Sequence, residues 1–405
     1  MLKSAFYISI LVFSLPSFLM SCKKKEYWPK KSEKVITPLT KRFDLNFSNN
    51  LYYSSVEKIL PNVSNEDSIW ILQRIQEKEN DPTFMVIEKR TLDANNVMYK
   101  SENDSTVQDF LIFNFSSKNK EVIFLVDEIG IKYFTNKEDL NSIDLTNINC
   151  PLQRANLREV NHVLYLNYIS CGKNILHSFS VNTSANTLNV EIQEEIVIDY
   201  LGDNSTVSSL DFSMIFHDKK YPDEMIIASN KHKDQKINFS IFKLQEDTNG
   251  PRILTYSLNN KTSFVPFKFA YKNKQLYIVG SKLNSIQENK DYNINLVNID
   301  VSELKIKFQQ EYHLSVQDDF PKDIKILENN TLGICGVMNF NKDDAQKNAD
   351  GFYLHVDENG KILSQKGLGS SGLDILNTIA EYKEKIVYLG GLTQSKNSII
   401  QYIVY

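Results

Sequence analysis

Residues 331–368 read TLGICGVMNFNKDDAQKNADGFYLHVDENGKILSQKGL, and this stretch decides the fold. An apolar run at 331–338 is followed by a polar loop and a second apolar run at 350–357. A turn at 358–360 then leads into a more polar run at 362–368. Short apolar runs separated by turns that contain Asn and Gly are typical of β-strands. The stretch therefore predicts consecutive antiparallel strands of one sheet.

The same succession recurs along the chain. Its units are recognised by their central strands, predicted at Ser68–Ile75, Glu121–Glu128, His162–Ser170, Glu224–Asn230, Gln275–Gly280, Thr331–Met338 and Lys385–Gly391. Successive central strands are roughly 40 to 60 residues apart, which suits units of four strands. An apolar run without alternation indicates a strand that is covered on both faces. Each sheet is therefore expected to pack between two others.

These features predict an all-β chain folded as a β-propeller of four-stranded blades. The count is seven, and six or eight blades remain open because the second unit has the weakest pattern. The last unit has three strands before Tyr405, and Arg42–Phe47 alternates like an edge strand. We expect this N-terminal strand to complete the last blade and to close the ring, since closure removes two exposed sheet edges.

The C-terminal part resembles bacterial propeller repeats. The matching residues are Asp350–Ile362, the turn Gly369-Ser370-Ser371-Gly372, and Gly390-Gly391-Leu392-Thr393. The resemblance covers about 65 residues well, and the Trp usual in the outer strand of these repeats is absent. It implies the propeller fold without implying an activity, because propellers carry many functions.

The N-terminus has the anatomy of a signal peptide. Lys3 precedes an apolar segment, Ala5–Met20, which is short for a membrane-spanning helix. Leu19-Met20-Ser21-Cys22 resembles a bacterial lipobox, and the chain resembles lipoproteins of the Bacteroidota. The resemblance implies cleavage before Cys22 and a diacylglycerol on its thiol, which would anchor the chain to a membrane.

The chain is thus divided into three parts: a signal peptide at 1–21, a lipidated flexible tether at 22–41 and the propeller at 42–405. The tether is rich in charge and begins with Lys23-Lys24-Lys25 after the cysteine. We expect the protein in a bacterial cell envelope, most simply at the outer membrane. The basic residues after Cys22 favour the periplasmic face over the surface, and the choice between the two stays open.

Charge and motif content narrow the function classes. The net charge is −4, from 46 basic and 50 acidic residues, which argues against a general nucleic-acid binder. The sequence contains no GxSxG, P-loop or HExxH motif, and no CxxC or Cys/His spacing typical of zinc. No cofactor, metal site or catalytic residue is therefore predicted.

Two cysteines flank a predicted hairpin. Cys150 precedes one arm, Leu152–Val160, and Cys171 follows the other, His162–Ser170. A turn near Asn161 would place the two sulfurs opposite each other at the open end, so a disulfide is one reading and two free thiols are the other. Cys335 lies in an apolar run and is predicted to be a buried core residue.

Candidate binding residues lie in loops that a propeller places on one face. This face collects the loops between second and third strands and the loops between units. The longest such loop is Asn339–Ala349, and Lys282–Asp291 is expected beside it. The candidates are Asp318, Asp319, Asn341, Asp343, Asp344 and Lys347. Long loops on a rigid scaffold often carry binding function.

Two main hypotheses follow from this reading. The first is a membrane-anchored, non-enzymatic binding or scaffolding lipoprotein whose partner is an envelope protein or a glycan. The alternative is a hydrolase or lyase that acts on polysaccharide through acidic residues in the propeller funnel. A third reading is a subunit of an envelope assembly machine. Converging carboxylates with a His, Tyr or Arg would favour catalysis, and a face with exposed aromatic side chains would favour binding.

Overall fold

The structure is a computed structural model of the 405-residue chain. It describes residues 41–44, 51–61, 68–91, 95–101, 107–115, 120–135, 139–145, 150–160, 163–184, 187–200, 207–215, 224–231, 237–243, 252–258, 264–283, 291–300, 303, 305–340, 349–369, 372–382, 386–393 and 397–404. The predicted signal peptide, Cys22 and the tether up to residue 40 lie outside these residues. Residues 37–405 form one compact unit.

The described residues form antiparallel sheets of four strands, numbered here in chain order, with no helix among them. Sheet 1 contains β2 (Tyr53–Pro61), β3 (Ser68–Gln76), β4 (Phe84–Thr91) and β5 (Asn95–Lys100). Sheet 2 contains β6 (Asp109–Phe115), β7 (Lys120–Val126), β8 (Gly130–Phe134) and β9 (Asn141–Asp144). Sheet 3 contains β10 (Gln153–Val160), β11 (Val163–Ser170), β12 (Lys173–Ser184) and β13 (Thr187–Tyr200).

The later sheets repeat this order. Sheet 4 contains β14 (Val207–Ile215), β15 (Glu224–Lys231), β16 (Ile237–Lys243) and β17 (Arg252–Leu258). Sheet 5 contains β18 (Phe264–Lys272), β19 (Gln275–Leu283), β20 (Tyr292–Asp300) and β21 (Lys305–Tyr312). Sheet 6 contains β22 (Asp318–Ile326), β23 (Leu332–Phe340), β24 (Asp350–Val356) and β25 (Ile362–Leu368). Sheet 7 contains β26 (Ile375–Tyr382), β27 (Ile386–Thr393), β28 (Asn397–Val404) and β1 (Lys41–Asp44).

Sheet 7 draws on two distant parts of the chain. β1 pairs with β28 in antiparallel register, with Lys41 opposite Tyr402 and Asp44 opposite Ile399. The sequence-based expectation that an N-terminal strand completes the last sheet is confirmed for residues 42–44, and Lys41, which was expected to end the tether, belongs to the strand as well. Residues 45–47, the remainder of the predicted strand, lie outside the described part of the chain. This pairing covers the edge of β28 that would otherwise be free to pair with another chain.

Each predicted central strand is the second strand of its sheet, and burial explains its apolar run. Along β23 the first seven residues are buried, whereas most of β21, an outer strand, is exposed. Successive residues of β3 pack in opposite directions: Trp70 and Leu72 pack against sheet 2, while Ile71 packs against Ala380 of sheet 7. The second strand is therefore apolar on both faces because both faces meet a neighbouring sheet.

Neighbouring sheets share apolar cores around the unit. Clusters join sheets 1 and 2, 2 and 3, 5 and 6, 6 and 7, and 7 and 1. The first strand of sheet 4 contacts the first strands of sheets 3 and 5. The first strands therefore follow one another around a central channel, which is the radial order of a β-propeller.

One buried carboxyl group lies in the seam between sheets 1 and 7. Glu88 pairs across the ladder with Ile71, so both side chains are on the face of sheet 1 that meets sheet 7. Its carboxylate is fully buried, and its oxygens have no partner within hydrogen-bond distance; Arg90 Nε lies 3.6 Å from Oε2 as an ion pair. Burial raises the pKa of Glu88 to about 7, and the nearby Arg90 offsets this only in part.

The pairing of β10 with β11 brings Cys150 and Cys171 together. Cys150 and Cys171 form a disulfide across the open end of the β10–β11 hairpin, with their Cα atoms 5.5 Å apart. Cys335 is a fully buried free thiol in β23 and packs against sheet 7, which confirms its predicted place in the core. No helix among the described residues is both long and apolar enough to cross a membrane.

Candidate functional site

A backbone irregularity recurs in the first strands and shapes the channel. The register slips by one or more residues in six of them, for example between Val56 and Lys58 in β2 and between Pro321 and Asp323 in β22. Such β-bulges bend a strand and redirect its side chains. The sequence does not reveal them, because a bulge is a property of the pairing between two strands.

Carboxylates of two first strands, β22 and β6, form hydrogen bonds to a neighbouring first strand. The Asp323 carboxylate accepts hydrogen bonds from its own neighbour Ile324 N–H at 2.9 Å and from Ile379 N–H of sheet 7 at 3.0 Å. Asp109 repeats the arrangement, accepting from Phe110 N–H at 2.9 Å and from Leu157 N–H of sheet 3 at 2.8 Å. We call these the carboxylate clamps.

Two further side chains of the channel wall form hydrogen bonds between sheets, one from sheet 1 to sheet 2 and the other from sheet 7 to sheet 1. Lys58 of β2 donates to the Asp109 carboxylate and, at 3.0 Å, to the Phe110 carbonyl. Asn377 of β26 donates to Ser55 Oγ at 3.0 Å and to the Val56 carbonyl at 3.1 Å. The polar side chains of the channel wall thus hold neighbouring sheets together.

The channel encloses a cavity of about 730 Å³. Its charged lining residues include Lys58, Asp109, Arg158, Lys268, Asp323 and Lys325. Two of these, Asp109 and Asp323, are the clamp carboxylates, whose oxygens accept backbone N–H bonds. Those two acids are therefore engaged in structure and are not poised as an acid–base pair.

A cluster of aromatic side chains lies on one face of the propeller, between sheets 5 and 6. Phe320 is at its centre, with ring-centroid distances of 5.6 Å to Tyr292, 5.9 Å to Phe340 and 6.4 Å to Phe267. All four side chains are half-buried. We call Phe267, Tyr292, Phe320 and Phe340 the aromatic patch.

The predicted binding loops begin and end beside this patch. Tyr292 is the first residue of β20, and Phe340 is the last residue of β23. The loops at 284–290 and 341–348 thus adjoin the patch in sequence, although they lie outside the described residues together with Asn341, Asp343, Asp344 and Lys347. The predicted location is therefore marked in the structure by aromatic groups, which sequence reasoning passed over in favour of carboxylates.

Asp318 and Asp319 lie beside the aromatic patch and are buried. Asp318 accepts a hydrogen bond from Tyr292 N–H at 2.8 Å. Asp319 accepts from Leu314 N–H at 2.9 Å, from the Ser315 hydroxyl at 2.6 Å and from Asn339 N–H at 3.2 Å. Burial raises the pKa of Asp319, although these hydrogen bonds act in the opposite direction. Both carboxylates position the strand ends that carry the patch.

Within the described ranges, no group of three or more His, Cys, Asp and Glu side chains is arranged to hold a metal ion. The patch itself offers apolar and aromatic surface with buried acids behind it. Such a surface can accept an apolar or aromatic group of a partner, because half-buried rings lose little conformational freedom on binding.

Comparison with known proteins shows the fold. No protein-family model and no curated protein matches the chain. The crystal structure of Chaetomium thermophilum Sqt1 bound to the N-terminus of the ribosomal protein L10 is similar, with a TM-score of 0.51 and 10% identity over 90% of this chain and 98% of that chain.

Two further solved structures are similar at lower scores. The Dos1 propeller matches with a TM-score of 0.48 and 12% identity, over 90% of this chain and 94% of that chain. The WD40 domain of SCAP from fission yeast matches with a TM-score of 0.43 and 8% identity, over 91% of this chain and 95% of that chain. The likeness to Sqt1, at 10% identity, concerns the fold alone and shows no shared activity.

Proposed function

We propose that this protein is a non-enzymatic binding protein of a bacterial cell envelope, held to the membrane by a lipid on Cys22. Its seven sheets would form the seven blades of a rigid disc on a flexible tether at residues 22–40, since Lys41 already belongs to β1. The aromatic patch is the observation that carries the binding function. Four half-buried rings at the edge of a propeller face supply the kind of surface on which binding energy concentrates.

The partner is proposed to be an envelope protein that inserts an apolar or aromatic side chain between the rings. The similar Sqt1 structure holds the N-terminus of another protein, which supports a peptide segment as the occupant. Aromatic rings also stack on sugars, so a glycan is the competing outcome that the experiment must separate.

The patch is tested by substitution. Phe320→Ala and Phe267→Ser remove rings of the patch, and Phe308→Ala removes a half-buried ring outside it that contacts Tyr277. Partners are captured by cross-linking in cells and identified by mass spectrometry. We expect the patch variants to lose at least about tenfold of one protein partner while Phe308→Ala retains it. Equal capture by all three variants, or capture of glycan alone, would contradict the proposal.

The lipid anchor is tested separately. Cys22→Ser removes the thiol that would carry the lipid. We expect wild-type protein in the membrane fraction with incorporated labelled fatty acid, and the variant without label and released from the membrane. A labelled or membrane-bound variant would contradict lipidation at Cys22 and would leave the patch experiment unaffected.

One observation favours the polysaccharide hydrolase or lyase as a second candidate. Glu57 lines the channel beside Arg74, with 3.6 Å between Glu57 Oε1 and Arg74 Nε. Burial raises the pKa of Glu57, which suits a general acid. The pKa of Tyr53 is raised mainly by burial and further by the charge of the nearby Glu57. Glu57→Gln should abolish any polysaccharide cleavage that the wild-type protein shows, and cleavage that survives this substitution would exclude Glu57 as the acid.

A further inference from the structure

The channel cavity extends sideways into the seam between sheets 1 and 2. Its lining there includes Leu60, Leu72 and Met85 of sheet 1 and Val107 at the start of sheet 2. Lys58 and Arg74 line the same space. We call these six residues the crevice.

The strand register places the crevice residues of sheet 1 on one face. Lys58 pairs with Leu72 across β2 and β3, Leu60 pairs with Trp70, and Arg74 pairs with Met85 across β3 and β4. Paired residues project to the same side of a sheet, as do residues two apart along a strand. All five side chains of sheet 1 therefore face sheet 2.

The walls of the crevice are apolar and largely closed to solvent. Leu72 is 2% exposed, Met85 4% and Val107 6%, yet all three line the cavity. They belong to the core cluster that joins sheets 1 and 2, and Leu60 packs against that cluster. An apolar chain entering the crevice would therefore extend the core and would exclude water from it.

The open side of the crevice is positively charged. Lys58 and Arg74 border the apolar walls, and Arg158 and Lys268 line the channel near them. Burial lowers the pKa of Lys58, the Asp109 carboxylate to which it donates raises it, and the charges of Arg158 and Lys268 lower it further. Arg74 also faces a carboxylate, because its Nε lies 3.6 Å from Glu57 Oε1. The cavity lining nevertheless contains six basic side chains and four acidic ones, and this excess of positive charge favours an added anion.

We propose that the crevice binds a small amphiphilic anion, an aliphatic chain that ends in a carboxylate. The chain would lie against Leu60, Leu72, Met85 and Val107, and the carboxylate would accept hydrogen bonds from Arg74 and contact Lys58. A guanidinium suits a carboxylate because its two parallel N–H donors match the two oxygens. This site is separate from the aromatic patch between sheets 5 and 6 and goes beyond the proposed function, although it shares Arg74 with the Glu57–Arg74 pair of the second candidate.

The structure supplies its own reporter for this site. Trp70 belongs to the same core cluster as Leu72 and Met85 and pairs with Leu60. The full chain, purified in amphipol, is titrated with octanoate, hexanoate, acetate and 1-octanol while tryptophan fluorescence is followed. The chain has one other tryptophan, Trp28 in the predicted tether, so the titration uses the Trp28→Phe variant, and amphipol alone provides the background.

We expect octanoate to produce a saturable change. Hexanoate should bind about tenfold more weakly because two buried CH₂ groups are lost. Acetate, which lacks the chain, and 1-octanol, which lacks the charge, should each bind at least about tenfold more weakly than octanoate. No saturable response to octanoate would overturn the proposal, as would equal affinities for octanoate and 1-octanol.

Two variants locate the site. Arg74→Gln should weaken octanoate binding about tenfold and leave 1-octanol binding unchanged, since it removes a charge-assisted hydrogen bond and no apolar wall. Leu60→Phe should weaken both ligands by filling the crevice. Lys305→Gln, at an exposed position of β21, is the charge-matched control for Arg74→Gln. If both crevice variants bound octanoate as the wild type does, the anion would lie elsewhere and the proposal would fail. A circular dichroism spectrum of Arg74→Gln that matches the wild-type spectrum ensures that weaker octanoate binding does not reflect misfolding.

Discussion

Replacement of Glu88 by Gln should remove most of the pH dependence of stability that the seam between sheets 1 and 7 creates. The pKa of Glu88 is about 7 in the folded protein and has an ordinary value of 4.5. The folded state therefore binds the proton more tightly than the unfolded state does. The contribution of Glu88 to stability is fully present below pH 4.5 and is lost as the pH rises through 7.

The magnitude follows from the difference of the two pKa values. Each pKa unit corresponds to about 1.4 kcal/mol, so ionisation of Glu88 costs about 3 kcal/mol of unfolding free energy between about pH 4 and pH 8.5. The carboxylate is fully buried without a hydrogen-bond partner, so solvent does not screen this cost. The amide that replaces it in the Glu88→Gln variant cannot ionise and has nearly the same shape.

Urea denaturation between about pH 4 and pH 8.5 measures the effect, with Glu303→Gln at an exposed position as the matched control. The free energy of unfolding of Glu88→Gln relative to that of the wild type should fall by about 2 to 3 kcal/mol between about pH 8.5 and pH 4. Loss of the ion pair with Arg90 shifts the whole profile of the variant without changing this difference in slope. Parallel pH profiles for wild type and variant would refute a buried, ionising Glu88.

Three other predictions concern stability, each read from denaturant or thermal unfolding. Double replacement of Cys150 and Cys171 by Ser should lower the free energy of unfolding by about 3 kcal/mol, because the disulfide closes a loop across a sequence separation of 21. A wild-type protein whose unfolding midpoint did not change on reduction would contradict this prediction. Asp323→Ala should lower the free energy of unfolding by about 2 kcal/mol, since it leaves the buried Ile379 N–H without its acceptor. The control, Asp357→Ala in an exposed turn, should lower it clearly less. Equal losses of stability would argue against the carboxylate clamp. Gly391→Ala should lower the free energy of unfolding by about 3 kcal/mol or more, because a Cβ there would lie 1.8 Å from the backbone oxygen of Ile375. A variant of near-normal stability would show that β26 can move away from β27.

The strand rhythm could be predicted because burial leaves a direct trace in sequence. Val387 and Tyr388 are consecutive apolar residues because sheet 7 is covered on both sides: Val387 packs against sheet 6 and Tyr388 against sheet 1. Any strand that is covered on both faces must show the same run. The pairing of β1 with β28 followed from counting, since a sheet of three strands among sheets of four lacks an edge. The weak pattern of sheet 2 has a physical cause as well, because β9 is short and largely exposed.

The site was harder to predict. Phe320 and Phe340 look like ordinary core residues in sequence, and only the bulges and strand ends bring them together at the face. The sequence suggested that the candidate carboxylates are exposed loop residues. Asp319 is instead fully buried and accepts hydrogen bonds that hold a loop in place. The crevice depends on how far apart two sheets stand, and this spacing is set by packing rather than by any local pattern.

The pairing of Lys41 with Tyr402 has a consequence for how the protein matures. In the proposed export, the early segment crosses the membrane long before its β-strand partner has been synthesised, so the seventh sheet cannot be completed until translocation has nearly finished. Contacts between such distant segments slow folding. Until β28 has emerged, residues 41–44 have no partner strand, so any factor that keeps this segment from pairing elsewhere would raise the yield of closed, protease-resistant protein.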